Sequence, residues 1–109
     1  MCMLQINRAE TGETVQISLS GDLDISSVNI FRRCTDDLCS DAREIHFDLS
    51  GLEFIDSTGV GALAEMVDLL EGKGYKVKFT NITDDIYEIL EIIGLPQWLG
   101  EEKFYRQNE

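Results

Sequence analysis

The chain has 109 residues, 43% of them hydrophobic, enough for one domain with its own core; a domain of this size buries roughly two thirds of its unfolded surface. It carries 21 acidic and 9 basic residues, a formal charge of -12. That balance argues against nucleic acid and anionic membranes as partners, since phosphate binding needs clustered Lys and Arg, and favours a basic surface on another protein.

No run reaches the ~18 apolar residues of a membrane span and the N-terminus lacks a signal-peptide pattern, so the cytoplasm is the expected compartment. Cys2, Cys34 and Cys39 are an odd count without CxxC spacing. Reduced thiols are expected, with no disulfide and no metal site.

In chain order, Leu4 and Ile6 alternate with polar neighbours, as do Val15, Ile17 and Leu19, with the polar turn Glu10-Thr11-Gly12-Glu13 between them. This pattern predicts an antiparallel hairpin. The second strand ends at Gly21-Asp22-Leu23-Asp24. Ser26 or Ser27 can cap a helix that buries Ile30, Phe31, Cys34 and Leu38.

A third strand follows, in which Ile45, Phe47 and Leu49 alternate with His46, Asp48 and Ser50, and a turn is expected at Ser50-Gly51. From Ser57 the period becomes helical, with Val60, Leu63, Ala64, Val67 and Leu70 on one side. Gly72-Lys73-Gly74 ends that helix. Val77 and Phe79 mark a fourth strand. Thr83 caps a further helix with stripe Ile86, Ile89, Leu90 and Ile93, stopped by Gly94 and Pro96. A short strand or turn is expected near Phe104 and Tyr105.

The order is therefore ββαβαβα in a single α/β domain spanning residues 1–109. Strands joined through helices run parallel, and alternating strands bury one face. The fold class is a mixed four- to five-stranded sheet with helices mainly on one face. The loops after the second, third and fourth strands then fall at the strands' carboxyl ends. Asp22 and Asp24, Asp56 and Ser57, and Asn81 and Thr83 are expected to share one rim, where open α/β sheets bind their ligands.

The stretch Phe47 to Leu63, FDLSGLEFIDSTGVGAL, organises the chain. Asp56 and Ser57 stand where a helix begins, with free N–H groups and partial positive charge. A hydroxyl there can cap the helix, and an anion is favoured there. Thr58, Gly59, Val60 and Gly61 are small, so a partner can approach the backbone closely.

GDLD at Gly21 to Asp24, DLSGLEFIDSTGVGAL at Asp48 to Leu63 and IIGL at Ile92 to Leu95 together resemble the STAS domain, specifically the bacterial anti-sigma factor antagonists. The resemblance covers nearly the whole chain. It implies a STAS fold and a phospho-switch acting in transcription regulation by partner switching. Ser57 is the implied phosphorylation site, used by a serine-kinase anti-sigma factor with a histidine-kinase-like ATPase fold. A PP2C-type phosphatase resets it.

The resemblance implies that the unphosphorylated form binds the anti-sigma factor and frees the sigma factor. The resemblance sets Asp24 against the kinase partner; Asp22, Asp56, Ser57, Thr58, Gly59 and Gly61 are read from their place on the rim as the rest of the partner-binding surface. The tail is shorter than the extended final helix many members carry. A STAS adaptor in a secretion, stress-sensing or lipid-transport complex is the alternative reading, with small-molecule binding a third.

On spacing alone Ser57 reads first as a helix cap, and the resemblance reverses this in favour of the phosphoacceptor, with Thr58 second. Asp56 is read as shaping its loop or meeting the partner. Asp22 and Asp24 can be loop and capping residues. A serine hydrolase needs a base beside its nucleophile, but the only histidine, His46, falls at the far end of the third strand from Ser57, and no G-x-S-x-G elbow exists. Gly72-Lys73-Gly74 lacks Walker spacing, so no ATP site is expected. The protein is read as a non-enzyme without cofactor. Trp98, Tyr87 and the Met residues are expected to pack, and Cys34 and Cys39 to be buried or partly buried.

Overall fold

A computed structural model describes residues 3–38 and 41–107. Cys2, Cys39 and Met1 lie outside the described residues. Strand β1 (Gln5–Thr11) turns at Gly12, whose φ of 60° suits glycine, into antiparallel β2 (Thr14–Leu23). Helix α1 (Val28–Arg32) leads to β3 (Glu44–Ile55), α2 (Ser57–Gly72), β4 (Lys76–Ile82) and α3 (Asp84–Ile93). A short α4 (Leu95–Leu99), a 3-10 turn (Glu101–Lys103) and β5 (Phe104–Arg106) complete the chain. The sheet order is β1-β2-β3-β4-β5, with parallel pairing from β2 onward.

The period-two pattern sets the core. Val15, Ile45 and Val77 form one row across the sheet, and Ile17, Phe47 and Phe79 form the next. All six are buried, while Gln16, His46 and Lys78 point to the uncovered face. Four phenyl rings cross this core. Phe31 of α1 meets Phe47 at 5.6 Å, Phe47 meets Phe79 at 5.4 Å, and Phe79 meets Phe104 at 5.0 Å between centroids. Such pairs add about 0.5–1.5 kcal/mol each beyond the area they bury. The terminal strand is thus attached through a side-chain row as well as through backbone hydrogen bonds.

Several expectations need correction. Ser50-Gly51 is not a turn. β3 runs through it to Ile55, absorbing an extra residue where Ser18 pairs with Asp48 but Ser20 pairs with Gly51. The Asp48 carboxylate accepts from Ser50 N–H at 2.9 Å, and a Cβ on Gly51 would stand 2.7 Å from that of Ser20. Turn-forming residues here make a β-bulge, because the pairing with β2 continues on both sides of it.

The first helix is only five residues long. It buries Val28 and Phe31, leaves Ile30 exposed and Cys34 and Leu38 half-buried in the turns beyond. Cys34 is a free thiol whose burial pushes its pKa up to about 12. Thr83 does cap α3, accepting from Ile86 N–H at 3.4 Å, and Gly94 ends it in the left-handed region at φ 88°. Ile86 and Leu90 are buried as read, whereas Ile93 is exposed, as are Trp98 and Met3. Met66 packs in the core, and Tyr87 is half-buried with the Arg106 guanidinium 5.0 Å above its ring.

The common rim is also stepped. β4 pairs with β3 only as far as Asp48 with Thr80, and β3 then continues for seven more residues. Asn81 and Thr83 therefore lie well below Asp56, and the Asn81 amide donates to Asp48 at 3.0 Å. The pattern shows where strands begin, but their relative overhang depends on register, which periodicity does not encode.

Candidate functional site

The extended β2–β3 pair carries the site. Asp56 N–H donates to the Leu23 carbonyl at 3.3 Å, tying the start of α2 to the end of β2. Asp22 lies on β2 and Asp24 just past its end, flanking Leu23, and Asp56 and Ser57 follow β3 on the other side. These four residues and Thr58 therefore meet at one tip.

The helix cap is Asp56, not Ser57. Its backbone is extended, and its carboxylate accepts from Gly59 N–H at 2.8 Å. Ser57 is the first residue of the 16-residue helix and is exposed. Its hydroxyl has no hydrogen-bond partner among the described residues. The N–H groups of Ser57 and Thr58 likewise have no acceptor there. An anion on Ser57 would meet both free donors and the positive end of the helix.

This assignment predicts an asymmetry. Asp56→Ala should cost about 1 kcal/mol of stability through the lost cap, while Ser57→Ala should be nearly neutral. Urea denaturation of the two variants measures it; a larger loss for Ser57→Ala would refute the assignment.

Asp24 is organised by its own turn. Its carboxylate accepts from the Ser26 hydroxyl at 2.6 Å and from Ser26 N–H at 3.0 Å. The Ser26 hydroxyl bond leads the causes that hold the Asp24 carboxyl below its ordinary range, so this half-buried group is ionised at neutral pH. Ser27 occupies the position before α1, yet its hydroxyl makes no capping bond. It accepts from Asp24 N–H at 3.0 Å and donates to the Asp22 carbonyl at 2.8 Å, bracing the turn that holds both aspartates.

The glycines divide. Gly61 is exposed, and a Cβ added there meets nothing within 4 Å. Gly59 is buried, and a Cβ there would stand 2.4 Å from the Leu23 carbonyl oxygen. It faces inward and so offers no surface to a partner, because its missing side chain lets α2 close onto β2. Pattern reading grouped the two as one small-residue surface, since helical direction cannot be resolved over three residues.

Pattern reading also missed the apolar surroundings. Met3, Leu4 and Ile30 join Asp22, Asp24, Ser26 and Ser27 around a cavity of about 250 Å³. Ile25 and Phe54 are exposed nearby in the chain, one following Asp24 and the other two residues before Asp56. An isoleucine between Asp24 and Ser26, inside a polar turn, was the available signal for Ile25. Phe54 escaped because the bulges in β3 change which residues face outward. His46 sits near the start of β3, its Nε2 3.0 Å from Glu44, about nine residues of strand from Ser57. No cluster of residues suited to holding a metal ion occurs among the described residues.

The STAS domain profile matches residues 5–108. The chain belongs to the STAS domain family. Among curated proteins it is 20% identical over 92 residues to the anti-sigma-B factor antagonist of Bacillus subtilis (strain 168), covering 84% of each chain. Its fold resembles a sulfate transporter family protein from Wolinella succinogenes with a TM-score of 0.78 at 20% identity, covering 89% of this chain and 80% of that one. It also resembles the Bacillus cell fate determinant SpoIIAA in its phosphorylated form, with a TM-score of 0.63 at 28% identity, covering 87% and 86%. The fold is thus shared with an anti-sigma factor antagonist lineage and with a sulfate transporter family protein alike. No helix among its described residues is long and apolar enough to cross a membrane.

Proposed function

We propose that this STAS domain is a bacterial, cytoplasmic anti-sigma factor antagonist whose switch is phosphorylation of Ser57. The observation that carries the reading is the exposed Ser57 hydroxyl at the first position of α2, released from capping duty by Asp56. A serine needed as a cap would lose that function on modification; this one is free to accept a phosphoryl group. The relation to an anti-sigma-B factor antagonist, and to a protein known in a phosphorylated form, supports the same reading. The protein serves as substrate and ligand and performs no catalysis, since its single histidine stands near the far end of β3.

In this reading the unphosphorylated tip binds an anti-sigma factor that is also the serine kinase. Asp24, Asp22, Asp56, Ser57, Thr58 and Gly61 meet a basic surface on that partner, and a PP2C-type phosphatase reverses the modification. The test is incubation with a candidate kinase of histidine-kinase-like fold and Mg-ATP, followed by phosphosite mapping. Modification at Ser57 with the kinase, and none when the protein is alone with Mg-ATP, is the expected result. Modification confined to other residues overturns the assignment.

Asp24→Asn is expected to weaken kinase binding by up to about fivefold while leaving the thermal midpoint near wild type, the scale of a surface charge at an interface. Titration calorimetry would measure it, and unchanged affinity would remove Asp24 from the interface. A second reading, an adaptor attached to transport, is favoured by the likeness to the Wolinella protein. It predicts no kinase-dependent change at Ser57.

A further inference from the structure

At the end of the molecule away from Ser57, three large apolar side chains stand in solvent. Ile92 is 77% exposed and Ile93 52% exposed on the last turn of α3. Trp98 is 73% exposed on α4, across the left-handed Gly94. α3 leaves the sheet after β4 and runs back against the strand direction for ten residues, about 15 Å. Lys103, just beyond α4, pairs with Glu71 at the end of α2 at 3.3 Å. Both observations place this face roughly a full α2 length, about 24 Å, from Ser57.

Packing within the chain does not account for these residues. The inward side of α3 is completed by Ile86 and Leu90, and that of α4 by Leu95 and Pro96. One exposed isoleucine is ordinary, but two with a tryptophan inside seven residues are the composition of an interface centre.

Charge selects the occupant. From Asp84 to Glu102 the chain holds six carboxylates and no Lys or Arg. Asp84 is paired with Arg106 and Glu102 with Lys103. Asp85, Glu88, Glu91 and Glu101 have no cationic partner among the described residues. Glu88 lies one helical turn before Ile92, on the same side of α3. A second copy of this chain would oppose like charges here, and an anionic bilayer would do the same.

We propose that the Ile92, Ile93 and Trp98 face docks a basic amphipathic helix of a partner protein, with its apolar stripe on these three residues and its Lys or Arg side chains on the surrounding carboxylates. The site does not depend on the Ser57 switch.

Trp98 is the only tryptophan, so its fluorescence reports on this face directly. The probe is a synthetic Leu/Lys amphipathic helix of roughly 18 residues, long enough to fold on contact, with a scrambled peptide of equal composition as control. The Leu/Lys helix is expected to shift Trp98 emission to the blue and to shield it from acrylamide, saturably, with the scrambled peptide about tenfold weaker or worse. Ile92→Ser combined with Ile93→Ser should lower the affinity by about tenfold with an unchanged far-ultraviolet spectrum, since both residues are exposed. Ser57→Asp should leave binding unchanged.

Equal binding of the scrambled peptide, or binding that leaves Trp98 emission unmoved, overturns the proposal. So does emission already blue-shifted in a concentration-dependent way without peptide, which assigns the face to a second copy. A blue shift produced by phosphatidylcholine vesicles in place of the peptide overturns it in favour of a membrane.

Discussion

Gly59→Ala is expected to destabilise the domain by about 1–3 kcal/mol, the usual cost of overfilling a packed site. Alanine ordinarily gains about 1 kcal/mol over glycine inside a helix, so the expected sign is opposite to propensity. The cause is the Leu23 carbonyl oxygen 2.4 Å from the new Cβ, a backbone atom that can yield only if β2 or α2 shifts. Ile55 closes the other side, its Cγ1 2.8 Å away. Gly61→Ala, two residues on in the same helix, meets nothing and should stabilise by about 1 kcal/mol. Thermal melts of the pair should differ by roughly 10 °C or more, at 4–8 °C per kcal/mol for a domain near this size. Equal midpoints would show that α2 does not close onto β2 as described.

On the proposed reading, phosphorylation of Ser57 is expected to lower affinity for a kinase partner by about 100-fold, near 2.7 kcal/mol, while leaving the fold intact. The modification adds about -1.5 to -2 charges at the start of α2. Inside the protein two effects oppose each other. The free N–H groups of Ser57 and Thr58 and the helix dipole favour the phosphate by about 0.3–1 kcal/mol when exposed. The Asp56 and Asp24 carboxylates repel it, with solvent screening the repulsion at an exposed tip.

At the interface nothing offsets the change. A bulky dianion occupies the surface that the small side chains of Ser57 and Thr58 present, and its hydration must be surrendered on docking. Ser57→Ala should therefore bind like wild type and resist modification, whereas Ser57→Asp should bind poorly with a native circular dichroism spectrum. Surface plasmon resonance against the nucleotide-bound kinase is the measurement. Equal affinity of the phosphorylated and unmodified forms would end the switch interpretation.

The elements were legible because burial follows periodicity. Val15, Ile17 and Leu19, then Ile45, Phe47 and Leu49, then Val77 and Phe79 alternate in the sequence and line the core in the structure. Gly12, Thr83 and Gly94 have turn and cap preferences that local physics imposes, and they stand where those preferences place them.

What was illegible depends on register and direction. Ser50-Gly51 has turn chemistry but becomes a bulge, because β2 still pairs beyond it. Ser57 and Asp56 are both good caps, and only the backbone path decides that Asp56 takes the role. Ile93 and Trp98 carry core-type side chains, yet α3 and α4 place them where no other element of the described chain covers them. The exposure of Ile25 and Phe54 beside the candidate site is likewise a product of bulge and turn geometry.

The overhang of β3 has a mechanical consequence. Beyond Asp48 the strand is bonded on one side only, and past Ser20 and Gly51, where the pairing of β2 with β1 also stops, the ends of β2 and β3 form a two-stranded ribbon. Two-stranded ribbons twist more freely than wide sheets. Asp24 and Ser57 ride on the same ribbon, stitched together through Leu23 and Asp56, so bending at its root would swing them as one body and preserve their spacing. The tip is stiff within itself and is tied to the core through the buried Leu23, Leu52 and Ile55. Backbone amides in residues 49–55 that point away from β2 would exchange with solvent ahead of those in residues 44–48, which are clamped from both sides.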